Sequence, residues 1–288
     1  HLSSEYGCRA YETLDELLDD VDAVTVGAPT SEHVSIGEKC LKRGKHVMME
    51  KPLADYPDGA ARLVGLAQEV GAILMVGHVE RYNPVITKLL ELLREDREEI
   101  VSVDARRLAP FDGSRCLDVD VLYDLLIHDI DLALEIVDSP VLRVSAAGRP
   151  VFSSQIDVAH ARIEFENGSV AVFWAGKCSA RKVRSLTVTT PSRYFEADTL
   201  SQSLTVHTAA ELPSLEEGLC FMGDIEVKNI DITVDEPLRL ELEDFFDAVR
   251  NGHPPLVDGS RALRGLNTLD LVARSIALQS EIRMDGGN

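Results

Sequence analysis

The chain has 288 residues, which is enough for two domains that each bury their own hydrophobic core. Its 29 Lys and Arg residues are outnumbered by 49 Asp and Glu residues, and the formal charge of −20 disfavours nucleic acid and anionic membrane surfaces as partners. No apolar run approaches the roughly 20 residues of a membrane span, and the five cysteines stand singly, unlike those of zinc sites or disulfide frameworks. We therefore expect a cytoplasmic protein.

The first residues of the chain read as the end of a helix. Residues 2–6 are followed by Gly7, a typical helix C-cap, and the chain begins at His1 rather than Met. We expect from this that an N-terminal segment of the natural protein precedes His1.

Strands and helices alternate through the first part of the chain. After a short helix that begins at Thr13, three apolar segments read as strands, and two helices separate them. The strands are predicted at 22–28, 46–49 and 72–77, and the helices at 32–43 and 56–70. This alternation is typical of a doubly wound parallel sheet.

Each of the three predicted strands ends in polar residues, at 29–31, 50–52 and 78–83. Right-handed crossovers bring such exits to one edge of the sheet, which is where ligands bind in open α/β sheets. Lys51 is the most informative residue here, because an ammonium at this edge can stabilise an anion, a phosphate or a developing alkoxide. The alternative is an ordinary surface lysine in a loop.

The second part of the chain has a different pattern. A linking helix is predicted at 83–97 and a strand at 100–108, and from 142 to about 234 alternating segments with turns indicate an antiparallel sheet. Two helices close the chain, at 238–250 and 260–282. We expect one domain of residues 1–84 and a second α/β domain of residues 85–288, whose last helices pack back on the first.

An acidic and apolar segment, 118–137, is predicted to be a largely buried helix. Asp124 and His128 then lie one turn apart on one face, where a carboxylate can orient an imidazole and raise its basicity. A core histidine held for packing is the alternative. A metal site that also includes Asp129 and Asp131 is disfavoured, because Asp129 lies off the shared face and one helix cannot aim all four residues inward.

Further polar residues are weaker candidates. Arg81 and Asn83, which follow the third strand, are assigned to the substrate, although Arg81 can equally pair with the acidic surface.

A basic cluster in this acidic protein can contact a phosphate-bearing substrate or form a solvated strand edge. The cluster consists of Lys177, Arg181, Lys182 and Arg184.

Four sequence elements, in this order, resemble the Gfo/Idh/MocA oxidoreductases, and the resemblance covers nearly the whole chain. They are Thr30-Ser31-Glu32-His33, Gly44-Lys45-His46-Val47, Glu50-Lys51-Pro52 and Asp124-x-x-x-His128. The resemblance implies an N-terminal Rossmann domain, a C-terminal α/β domain with an open, mostly antiparallel sheet, and bound NAD or NADP, with NAD favoured. It also implies a homodimer or homotetramer formed through the open sheet face.

The same resemblance assigns roles to individual residues. Lys51 corresponds to the catalytic lysine, Asp124 to the orienting aspartate and His128 to the base. The residues along the cofactor are Pro29, Thr30, His33, Glu50 and Lys51, and the Lys51–Pro52 peptide is expected to be cis.

The printed chain departs from the family pattern in one respect. The glycine-rich turn Gly-x-Gly-x-x-Gly, whose amides hold the pyrophosphate, is not in it, nor is the acidic residue that distinguishes NAD from NADP. We expect both in the segment that precedes His1.

Within the family, residues 107–110 and 118–131 resemble enzymes that oxidise the 3-hydroxyl of UDP-N-acetylglucosamine. The sequence therefore predicts hydride transfer from the hydroxyl-bearing carbon of a sugar, with a nucleotide sugar as the favoured substrate. One alternative is a dehydrogenase of a free polyol or sugar such as inositol. An alternative of another class is a non-catalytic protein that senses a ligand.

Overall fold

The computed structural model describes residues 2–112, 120–209 and 225–284. The packing divides the chain into two compact units. The first unit comprises residues 1–77 and 242–263, and the second comprises residues 78–241 and 264–288.

The first unit contains a parallel sheet of three strands in the order β1-β2-β3. Residues 47–49 of the central strand are buried, so both sheet faces are covered, as the continuous apolar run indicates. The strands are β1 (Ala23–Val26), β2 (His46–Glu50) and β3 (Leu74–Gly77), and the helices are α1 (Leu2–Tyr6), α2 (Leu14–Asp20), α3 (Thr30–Lys42) and α4 (Pro57–Val70). Gly71 ends α4 in the left-handed conformation, with φ of 68°.

The C-terminal part of the chain adds residues 242–263 to this unit. They include most of α7 (Pro237–Asn251) and the first residues of α8 (Gly259–Leu278). The amide of Val76 in β3 donates a hydrogen bond to the carbonyl of Val257 at 3.1 Å, so the connection between the two helices lies beside the third strand.

The second unit is built on a sheet that, within the described residues, has nine strands in the order β11-β10-β9-β8-β4-β7-β6-β5-β12. Neighbouring strands are antiparallel except for β4 and β7, which confirms the predicted open, mostly antiparallel sheet. The strands are β4 (Ser102–Leu108), β5 (Val141–Arg149), β6 (Val158–Phe165), β7 (Val170–Gly176), β8 (Val183–Thr189), β9 (Arg193–Asp198), β10 (Ser203–Ala209), β11 (Ile225–Ile230) and β12 (Ile282–Arg283).

Helices of the second unit pack on this sheet. They are a 3₁₀ helix (Val79–Tyr82), α5 (Pro84–Asp96), a π-helix (Leu122–Leu126) and α6 (Ile127–Val137). Strand β7 shows the alternation this produces, because Phe173 is 1% exposed while Trp174 is 39% exposed. The core of the unit therefore lies on the Phe173 side of the sheet.

The structure corrects two predicted helices. Residues 118 and 119 lie outside the described ranges, and the segment predicted as an α-helix begins with the π-helix, so α6 starts only at Ile127. The amide of Val121, at the start of the π-helix, donates to the carbonyl of Ile156 in the loop before β6. The helix predicted to reach 282 ends at Leu278, because Gln279 adopts a left-handed φ of 51° and the chain then pairs as β12 with β5.

No helix in the described parts of the chain has both the length and the apolar composition that crossing a membrane requires.

Candidate functional site

The strand exits of the first unit share one edge of the parallel sheet. Val26 pairs with Met49, and Glu50 pairs with Gly77, so the three strands end side by side. Pro29 is exposed at the N-cap of α3, and Thr30 is half-buried as the first helical residue. The N-terminus of α3 has no side-chain cap, which leaves its first amides to other acceptors.

His33 connects two of these exits. Its ring is 1% exposed, with Nδ1 2.9 Å from the carbonyl oxygen of Pro52 and Nε2 2.9 Å from that of Ala28. A neutral imidazole donates to one of these carbonyls, and a doubly protonated ring donates to both. His33 therefore ties the loop after β1 to the loop after β2, next to the residues that flank Lys51.

Lys51 and Glu50 lie at the end of β2. Lys51 is half-buried, its peptide bond to Pro52 is cis as expected, and Glu50 is exposed. Gly77 allows the Glu50 carboxylate to approach, because a Cβ at position 77 would lie only 3.2 Å from Glu50 Oε2. An ammonium, a carboxylate and a helix N-terminus without a side-chain cap, all at one edge, fit the phosphates and ribose hydroxyls of a dinucleotide.

In the second unit, His128 lies in the first turn of α6 against another histidine. The rings of His128 and His78 meet edge to face, with centroids 6.2 Å apart. His78 is 1% exposed, and its Nδ1 lies 3.8 Å from Asp131 Oδ2. Arg81 is also buried, with Nη1 3.7 Å from Asp131 and Nη2 2.7 Å from Glu135. A network of buried ionisable groups thus extends from His78 into the unit.

Asn83 is buried and hydrogen-bonded at both ends of its amide. Its Oδ1 accepts from the amide of Val85 at 3.2 Å and caps α5, while Nδ2 donates to the carbonyl of Thr199 at 3.0 Å. These contacts, like the ion pairs of Arg81, hold the segment that follows β3. The assignment of Asn83 and Arg81 to the substrate stays a prediction.

Asp124 lies in the π-helix and forms an ion pair with Lys177, with Nζ 3.2 Å from Oδ2. The two side chains are 29% and 12% exposed, so the pair is largely removed from solvent. A π-helical turn is an uncommon geometry that is frequent at functional sites. The sequence pattern named both residues but gave no reason to join them, because they are far apart in the chain.

Asp129 belongs to a separate buried network that sequence reasoning missed. Arg107 donates from Nε and Nη2 to Asp129 Oδ1 at 2.9 and 2.7 Å, and from Nη1 to Glu80 at 2.6 Å. Although burial disfavours the charge, these two carboxylates hold the pKa of the Arg107 guanidinium above its ordinary value. Asp129 is thus an ion-pair partner of Arg107. The described residues contain no group of three or more His, Cys, Asp or Glu placed to hold a metal ion.

Two family models match the chain. Residues 1–78 match an oxidoreductase family with an NAD-binding Rossmann fold, and residues 100–191 match the GFO/IDH/MocA C-terminal domain. The first unit thus carries an NAD-binding Rossmann domain. The chain belongs to the GFO/IDH/MocA oxidoreductase family.

Named relatives agree with this assignment. The chain is 32% identical over 267 residues to UDP-N-acetylglucosamine 3-dehydrogenase from Acidithiobacillus ferrooxidans, which covers 92% of this chain and 82% of that protein. A solved structure of the same enzyme superposes with a TM-score of 0.88 at 30% identity and covers 96% of this chain and 86% of that one. The NAD-dependent scyllo-inositol 2-dehydrogenase of Bacillus subtilis is 27% identical over 258 residues, with 84% of this chain and 72% of that protein covered.

Proposed function

We propose that this protein oxidises a hydroxyl group of a nucleotide sugar, specifically the 3-hydroxyl of UDP-N-acetylglucosamine, with NAD favoured over NADP. The observation that carries the proposal is the 32% identity, over 92% of the chain, to an enzyme named for this reaction. Lys51, Asp124 and His128 supply the acid–base groups that such a reaction needs.

In the proposed mechanism, His128 accepts the proton of the sugar hydroxyl and Lys51 stabilises the alkoxide that develops on its oxygen. Asp124 orients the imidazole. When bound, the nicotinamide ring supplies the acceptor for the hydride. The packing of His78 against His128, with ring centroids 6.2 Å apart, supports this role because it limits the rotation of the imidazole.

In the proposed mechanism, the two parts of the chain bind different reactants. Residues 1–84 bind the dinucleotide, with Pro29, Thr30 and Glu50 along it and His33 holding the loops, and residues 85–288 bind the sugar. The buried contacts of Arg81 and Asn83 support a positioning role for both near the substrate. These roles follow from the chemistry of the side chains and from the geometry within each unit.

We further propose that the protein forms a homodimer or homotetramer through the open sheet face. Several large apolar side chains are exposed on the sheet: Val172, Trp174 and Tyr194 are each 39–40% exposed. Val172 and Trp174 lie on the same face of β7, and exposed apolar and aromatic side chains on an open sheet favour a protein interface. Light scattering after gel filtration tests this proposal, and Trp174→Glu is expected to shift the mass toward the monomer, whereas a monomeric wild-type protein would contradict it.

The test of the function is a substrate panel assayed for the absorbance of reduced nicotinamide. The complete protein is incubated with NAD or NADP and with UDP-N-acetylglucosamine, UDP-glucose, free N-acetylglucosamine or myo-inositol. We expect turnover with UDP-N-acetylglucosamine and NAD. Turnover confined to free sugars or inositol would instead support a polyol dehydrogenase. The similarity to the scyllo-inositol 2-dehydrogenase of Bacillus subtilis favours this second candidate. Binding without any turnover would support a sensing protein.

A further inference from the structure

A cavity of about 400 Å³ opens in the second unit beside the Asp124–Lys177 ion pair. Its volume falls within the roughly 300–1,000 Å³ that small-molecule sites occupy. The walls come from the chain that follows β4, from the π-helix, from the loop before β6 and from the loop between β7 and β8. The residues that line it include Phe111, Asp124, Asp157, Lys177, Lys182 and Arg184.

Three cationic side chains line this cavity in a protein whose formal charge is −20. Arg184 is held in place by Nη1, which donates to the carbonyls of Leu108 at 2.8 Å and Val183 at 2.9 Å. A guanidinium carries five N–H donors on three nitrogens, so this anchoring leaves two nitrogens to bind an anion. Lys182 is exposed and brings a second ammonium to the same cavity.

The cavity is also lined by three carboxylates, and contacts within the protein hold two of them in place. Asp124 pairs with Lys177 at 3.2 Å. Asp157 Oδ2 accepts from the amides of residues 151–153 at 2.7–2.9 Å, and its Oδ1 accepts from the Ser153 hydroxyl. The remaining carboxylate, Asp112, is exposed and therefore screened by water. Lys177 is thus paired with Asp124, and Lys182 and Arg184 are the cations placed to meet an anionic ligand.

An aromatic pair lies at the wall of this cavity, where Phe111 is one of the lining residues. The rings of Phe111 and Phe152 are 4.5 Å apart between centroids, and the two residues are 38% and 55% exposed. The backbone amide of Phe152 donates a hydrogen bond to Asp157 Oδ2 at 2.7 Å, which holds the turn that carries Phe152. Exposed aromatic rings beside cations are the combination that binds a base by stacking and its phosphates by charge.

We propose that this cavity binds the nucleoside diphosphate part of the substrate. Lys182 and Arg184 bind the diphosphate, the Phe111–Phe152 pair stacks on the base, and the sugar extends toward Asp124. The inference rests on the proposed function, since it names the part of the second unit that distinguishes a nucleotide sugar from a free sugar. A free polyol has neither the charge nor the ring that these side chains recognise.

The test is the binding of UDP to the complete protein by calorimetry, without cofactor or turnover. We expect Lys182→Ala and Phe111→Ala each to weaken UDP binding about tenfold, because each removes a charge-assisted contact or a stacking surface. Arg181→Ala is the matched control. Arg181 is an exposed neighbour of Lys182 that does not line the cavity, and its loss is expected to leave the affinity within about twofold. Uridine is expected to bind more weakly than UDP, and added salt is expected to reduce that difference.

The outcomes separate this inference from the proposed function. If UDP-N-acetylglucosamine is oxidised but Lys182→Ala and Arg181→Ala have equal UDP affinity and equal KM, the cavity assignment is wrong and the function stands. If UDP binds in a Lys182-dependent manner but no nucleotide sugar is oxidised, the cavity assignment stands and the function is wrong.

Discussion

His78 and His128 pack edge to face in the second unit, with ring planes at 77° and centroids 6.2 Å apart. His78 is almost fully buried and has Asp131 beside its Nδ1. A residue that lies outside the Asp-x-x-x-His pair therefore restricts the imidazole proposed as the base.

The first prediction concerns this pair of rings. His128→Ala is expected to lower kcat by about 10² to 10⁴, the usual contribution of a general base, with little change in dinucleotide affinity. His78→Phe keeps a ring against His128 but removes its polar edge, and we expect a smaller loss, about tenfold or less. Steady-state kinetics with UDP-N-acetylglucosamine measure both, and an unchanged kcat in His128→Ala would remove this residue from the mechanism.

A second prediction concerns Lys51. Lys51→Ala is expected to lower kcat at least as much as His128→Ala, because the developing alkoxide loses its cation. Lys51→Arg keeps the charge but not the compact ammonium, so partial activity is expected. Single-turnover kinetics separate this effect from weaker binding. Full activity in Lys51→Ala would contradict the proposed mechanism at its central residue.

The third prediction concerns acid stability through Asp157. Although burial raises the pKa of this carboxyl, the three amides and the Ser153 hydroxyl lower it from 3.8 to about 2. A depressed folded-state pKa stabilises the protein above the unfolded-state value, and this contribution disappears as the pH falls to about 2. Asp157→Asn is therefore expected to cost about 2 kcal/mol at neutral pH and progressively less below pH 4.

Urea unfolding at a series of pH values measures this difference. Asp231→Asn, which changes an exposed carboxylate, is the control and is expected to leave the free energy of unfolding nearly unchanged. A cost for Asp157→Asn that stays constant from pH 7 to about 2 would show that lost packing, not charge, is responsible.

The fourth prediction concerns the buried pair of Arg107 and Asp129. Asp129→Ala leaves the guanidinium without the oxygen that accepts two of its hydrogen bonds, and we expect a loss of about 3 to 5 kcal/mol in the free energy of unfolding. Arg107→Met combined with Asp129→Leu replaces the pair by apolar side chains, and we expect it to recover most of that loss. A double variant as unstable as Asp129→Ala alone would mean that packing around Asp129 dominates.

The local pattern of the sequence was sufficient for much of the architecture. Alternating strands and helices identified the parallel sheet of the first unit and placed Glu50, Lys51 and Pro52 at the end of its central strand, as the structure has them. Strand alternation likewise identified the sheet of the second unit. Both signals are local, because the period of the side chains along a helix or strand reports which face is buried.

The π-helix at Leu122–Leu126 was not predictable in this way. Periodicity distinguishes a helix from a strand, but it does not show where a single turn takes in an added residue. The sequence pattern therefore placed Asp124 and His128 on one regular α-helix, whereas Asp124 lies in the π-helix and His128 in α6.

The sequence by itself determined the order of the elements, the family of the protein and the residue types at the strand exits. Only the tertiary structure decided which polar groups meet: Lys177 with Asp124, Arg107 with Asp129 and Glu80, and His33 with two backbone carbonyls. The physical reason is that such partners are distant in the chain and are brought together by sheet register and helix packing. Burial then makes each pairing necessary, because a charge removed from water requires a partner.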